Sequence, residues 1–118
     1  MESKVPSYLR TYRKRNGLSQ DEVAFLLGCQ SGTKVSRFER LARKPNLETA
    51  LACEVVFGIP AHDLFPRAYA EVEKTVTARA RMLSNRLRAA DHRELPRLRQ
   101  KLASLKAIVG REGIVSAN

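Results

Sequence analysis

The stretch from Asn16 to Gly28 constrains the fold most, because helix stop, start and stop signals follow one another in quick succession. Asn16-Gly17 ends one helix, since glycine accepts the positive φ that a helix terminus requires. Ser19 followed by Glu22 then reads as a capping box, the serine hydroxyl taking a backbone N–H while the glutamate reaches back to the serine amide. Val23, Leu26 and Leu27 make the apolar stripe of the helix so started, and Gly28 closes it. Helices of two turns are marginal alone in water and gain their stability from packing. Such a chain folds by packing several short helices together, so the expected class is all-α.

The flanking residues extend that pattern. Pro6 suits an early helical position, with Leu9 and Tyr12 on one face of the first helix. After Gly28, either Ser31 or Gly32 caps a third helix over 33–41, with Val35, Phe38 and Leu41 inward and Thr33, Lys34, Arg37 and Arg40 outward. Asn46 caps a fourth helix carrying Leu47, Ala50, Leu51, Val55 and Val56 and closed by Gly58. Pro60 to Leu64 reads as a short fifth turn, and Leu64 and Phe65 seal the base of the core. Phe25, Phe38, Phe57 and Phe65 lie beside aliphatic neighbours and are expected inside. These five helices define an expected domain over residues 5–66.

From Ala68 the punctuation fades. Val72, Val76, Ala80, Leu83, Leu87 and Ala90 fall at helical steps, and a long helix is expected until His92 to Pro96 interrupts it. Leu95, Leu98, Leu102, Leu105 and Val109 then alternate three and four apart, a coiled-coil-like seam. Residues 67–110 are therefore expected to form a helical hairpin or coiled-coil tail, followed by a frayed terminus over 111–118.

The 118 residues carry a net charge of +10, an excess that attracts polyanions. The charge is uneven: 12 basic and 5 acidic residues from Arg67 onward give +7, against +3 before it. No apolar run approaches the roughly 20 residues of a membrane span, no signal-peptide core opens the chain, and the basic tail lacks the Trp and Phe of an interfacial anchor. The reading is cytoplasmic, with no membrane partner. Cys29, Cys53, His62 and His92 are scattered singly, which gives no metal site, and no cofactor motif is present. Cys29 reads as a packed thiol. His62 beside Asp63 is half of a proton relay without a nucleophile, so no enzyme is expected.

What remains is two helices joined by a tight turn, a unit that projects its second helix into a major groove about 12 Å wide. Arg37 carries the donor fork that matches guanine O6 and N7, and Thr33, one turn before it, can bond a base or touch a thymine methyl. Glu39, unsuited to phosphate, is expected to pair internally with Arg10 or Arg13 of the first helix.

Gly17-Leu18-Ser19-Gln20-Asp21-Glu22-Val23-Ala24, Leu27-Gly28 and Val35-Ser36-Arg37-Phe38-Glu39 resemble the pattern of the lambda-repressor-like, or Cro-like (XRE-family), helix-turn-helix proteins. The resemblance runs from about Leu9 to Phe65 and includes Pro45, Leu51 and Ile59-Pro60. It implies a five-helix domain that binds double-stranded DNA as a homodimer in the bacterial cytoplasm, on the nucleoid. By that analogy and position, Thr33, Lys34, Ser36 and Arg37 are expected over bases, and Gln20, Arg40, Arg43, Lys44, Arg13 and Lys14 at phosphates. Two departures stand out. The turn between Gly28 and Val35 is one residue longer than usual, with Gly32 where many members carry a base-contacting side chain. Arg40-Leu41-Ala42-Arg43 replaces the glycine that often follows the motif glutamate, so the reading helix is expected to run on and to carry Arg43 and Lys44 toward the backbone. The function expected is transcriptional repression, with the tail seam as the dimerisation element. The alternative is an antitoxin-like or adaptor protein whose seam binds a partner, DNA serving only autoregulation.

Overall fold

The computed structural model describes residues 5–90 and 95–113. Among the described residues seven helices follow in order: α1 Leu9–Arg15, α2 Gln20–Leu27, α3 Gly32–Glu39, α4 Leu47–Phe57, α5 Ala61–Leu64, α6 Pro66–Ala89 and α7 Leu95–Gly110. The class is all-α.

The local signals operate as chemistry requires. Ser19 Oγ accepts the Glu22 amide at 3.1 Å, and the Glu22 carboxylate accepts the Ser19 amide at 2.9 Å, the complete capping box. Those same bonds hold the Glu22 carboxyl below its ordinary pKa of 4.5. Asn46 Oδ1 accepts the Thr49 amide at the start of α4, and Gly28 and Gly58 end α2 and α4 with φ of 72° and 66°. Ser31 is the residue before α3 but makes no side-chain cap. Pro6 precedes α1 rather than opening it, because the helix begins only at Leu9.

Two units divide the chain, residues 1–69 and 70–118. In the first, Leu9, Val23, Ala24, Val35, Phe38, Cys53, Leu64 and Phe65 form one buried cluster. Tyr12, Leu18, Leu27, Leu41, Phe57 and Ile59 pack around it. Two tethers close it: the Tyr8 amide donates to the Leu64 carbonyl at 2.8 Å, and the Ala61 amide to Glu54 Oε1 at 2.6 Å. One aromatic expectation fails. Phe25 is 84% exposed, because α2 turns Gln20, Val23, Ala24 and Leu27 inward at helical spacing and Phe25 falls outside that stripe. Leu26 is exposed for the same reason.

The second unit is a pair of helices. α6, which starts in the first unit, runs to Ala89, and the Arg81 guanidinium lies 3.6 Å from the Glu112 carboxylate just beyond α7. Of the interruption expected at His92 to Pro96, residues 92–94 fall outside the described residues, as do 91 before it and 114–118 of the terminus. Pro96 sits in the first turn of α7, where its missing N–H costs no helical bond.

Candidate nucleic-acid interface

α3 presents a polar stripe built by helical spacing alone. Thr33, Ser36, Arg37 and Arg40 are separated by three, one and three residues, so they share one face. Thr33, Arg37 and Arg40 are exposed and Ser36 is half-buried. Val35 and Phe38 anchor the opposite face in the core. Lys34 stands at the edge, half-buried and about a quarter turn from Thr33.

The helix does not run on past Glu39. Arg40 is its C-cap, and Leu41 takes the left-handed φ of 53°, the conformation glycine usually supplies. The amides of Ala42 and Arg43 both donate to the Arg37 carbonyl, at 2.9 and 3.3 Å. The chain is thereby folded back over the end of α3, and Arg43 and Lys44 are exposed in a loop rather than on the helix.

Glu39 is the one carboxylate of α3, and its surroundings account for it. It is buried and turned away from the stripe, with Arg13 Nε at 2.5 Å from its Oε2 and Gln20 Nε2 donating to Oε1 at 3.0 Å. Arg13 Nη1 donates to the Leu18 carbonyl at 3.0 Å. Of the two expected partners, Arg13 is the one used. This corrects the placement of Arg13 at a phosphate: its guanidinium is spent inside the domain, whereas Lys14 is exposed. Gln20 does both less and more than expected, since its amide braces Glu39 while the side chain stays half-open at the mouth of a cleft.

That cleft, about 710 Å³, is lined by Arg10, Ser19, Gln20, Ser36 and Arg40 among others. Arg10, expected only as an alternative partner of Glu39, is a further cation at this cleft. Its signal is the register of α1: Leu9 and Arg13, four apart, point inward, which leaves Arg10 outside. A second notch joins the starts of α2 and α3, lined by Ser19, Gln20, Asp21, Gly32, Thr33 and Ser36.

Gly32 opens α3 against α2. Its amide donates to Asp21 Oδ1 at 2.9 Å, which caps α3 from α2 in place of a side chain at Ser31. A Cβ at Gly32 would lie 2.6 Å from that oxygen and 3.0 Å from the Asp21 backbone nitrogen. The two helices approach so closely there that a side chain at this position has no room.

In the tail, Leu98, Leu102, Leu105 and Val109 are mostly covered, while Leu95 is 43% exposed. Cys29 is half-buried and Cys53 fully buried. His62 lies 3.4 Å from Asp63 and rests against the Tyr69 ring. Among the described residues no group of acidic, histidine and cysteine side chains could hold a metal, and no helix is long and apolar enough to cross a membrane.

Comparison with known proteins agrees with this geometry. The chain matches no curated protein and no solved structure. The helix-turn-helix family matches residues 9–64, the span from the first residue of α1 to the last of α5. The domain formed by α1 to α5 belongs to that family, the XRE-type, lambda-repressor/Cro-like DNA-binding transcription regulators.

Proposed function

We propose that the chain is a sequence-specific repressor that occupies an operator as a dimer, with α3 in the major groove. The observation that carries this is the α3 stripe: Thr33, Ser36, Arg37 and Arg40 face outward together while the helix's one carboxylate is neutralised behind it. Arg37 reads guanine, Thr33 and Ser36 bond base edges, and Lys34 reaches in from the edge. Arg10, Lys14, Arg40, Arg43 and Lys44 hold the phosphates that flank the groove, with the second N–H of the Gln20 carboxamide. Phosphate contacts set affinity and register; the α3 side chains set sequence.

A dimer follows from what one short helix can hold, since paired half-sites about 34 Å apart double the contacts. Leu47, Leu51 and Val55, exposed one turn apart on α4, supply an isologous contact within the reading domain. Most of the α7 seam is already covered, which favours α4 over the tail as the assembly surface.

The test uses a duplex selected from a random-sequence pool by the full chain. Arg37→Ala is expected to lose the preference for that duplex over random DNA while it retains binding to both. Preference that survives the substitution would sink the base-reading role. Val55→Glu is expected to leave one chain per duplex where the parent places two, read by light scattering.

A further inference from the structure

The hairpin leaves an apolar face open beside a basic wall. α6 buries Thr77 and Ala80, and next to them Val72, Val76 and Leu83 stand exposed, Leu83 at 44%. Leu83 and Leu87 meet Leu105 of α7 in a groove of about 580 Å³, whose α7 side includes Arg97 and Lys101. Two helices side by side bury one stripe each, and a third helix is the usual complement of the groove that remains.

The charges select the occupant. α7 carries Arg97, Arg99, Lys101 and Lys106 and no acidic residue, and among the described residues the groove has no acidic residue in its lining. Arg79 and Arg86 flank Leu83 on α6, four residues before and three after it. A second copy would set this basic wall against its own like. Nucleic acid would satisfy the charge but gains nothing from Leu83, Leu87 and Leu105. An amphipathic helix with an apolar stripe and acidic flanks satisfies both.

We propose that the α6–α7 groove is a docking site for an acidic amphipathic helix of a partner protein. Leu83, Leu87 and Leu105 accept its apolar residues, and Lys101 with its neighbours pairs with its carboxylates. The site is separate from the DNA-reading stripe, so either assignment can fail alone.

The test titrates the full chain into a labelled peptide of about 18 residues, five helical turns, with Leu at three- and four-residue steps and Glu between them. Two controls replace every Glu by Lys, or every Leu by Ser. Binding of the Glu–Leu peptide alone is expected, and Leu83→Ser, at an exposed position, is expected to weaken it about tenfold or more. Lys101→Glu is expected to weaken it too and to improve binding of the Lys–Leu peptide. Arg37→Ala is expected to leave it unaltered. Circular dichroism verifies that both tail variants stay helical. No binding of the Glu–Leu peptide, equal binding of the Lys–Leu control, or indifference to Leu83→Ser overturns the proposal. A dimer that Leu83→Ser dissociates would assign the groove to a second copy, and an equal loss of affinity for random duplex would assign it to nucleic acid; either result overturns it as well.

Discussion

Arg13 and Glu39, 26 residues apart in sequence, meet inside the helix-turn-helix domain at 2.5 Å with side chains only 10% and 4% exposed. The pair joins α1 to α3, and Ser7 Oγ adds a bond to the Glu39 carbonyl at 2.9 Å. A charge left alone at this depth costs more than the pair contributes, so either single substitution is the damaging one. Arg13→Met or Glu39→Met is expected to lose about 3–5 kcal/mol in urea unfolding, and the double variant far less than their sum. Additive losses would mean that the two side chains act independently.

Gly32 sets how closely α2 and α3 approach. Gly32→Ala forces Cβ onto the Asp21 carboxylate that caps α3, and the Asp21 backbone behind it has little room to yield. A loss of about 1–3 kcal/mol is expected from overpacking and the lost cap together. Asp21→Ala removes the cap without the clash and is expected to cost less, about 1 kcal/mol. If the two variants melt alike, the close approach carries no energy of its own.

Leu41 holds a left-handed conformation and packs against the core, so its two roles can be separated. Leu41→Ala loses the packing and keeps the strain. Leu41→Gly loses the same packing but relieves roughly 1 kcal/mol of strain. The glycine variant is therefore expected to be the more stable, the reverse of the order for a helix interior. The opposite order in thermal melts would place the strain elsewhere.

What the sequence made legible is local. Ser19 with Glu22, Asn46, Gly28 and Gly58 act on residues within four positions of themselves, so their pattern is their structure. The stripe Thr33, Ser36, Arg37 and Arg40 is likewise a matter of spacing. What was not legible depends on partners from other elements. Nothing near Gly32 in sequence announces Asp21, eleven residues earlier, as its cap. Arg13 sits in a run of three basic residues identical in charge, and only the inward register it shares with Leu9 separates it from Lys14. Phe25 is apolar but out of register with Val23, Ala24 and Leu27, so helical spacing and not residue type decides its exposure. Leu41 ends a helix without glycine because the core holds its side chain, a tertiary constraint that overrides local preference.

Cys53 gives the fold a dependence on alkaline pH. Its thiol is fully buried, and burial, with a smaller contribution from Cys29, pushes its pKa up to about 12 from an ordinary 9.0. Below pH 9 both folded and unfolded chains hold the proton, and the thiol contributes no pH dependence. Between pH 9 and 12 the unfolded chain releases the proton while the folded one retains it, so stability falls as pH rises. One unit above 9 the expected loss is about 1.4 kcal/mol. Under reducing conditions, urea midpoints at pH 8 and pH 10 are expected to differ by more in the parent than in Cys53→Ala, whatever that variant loses at both pH values from its cavity. An equal decline in both proteins would assign the alkaline sensitivity to other groups. The same burial makes Cys53 slow toward a thiol reagent at pH 8, with Cys29, half-exposed at the turn before α3, labelled first.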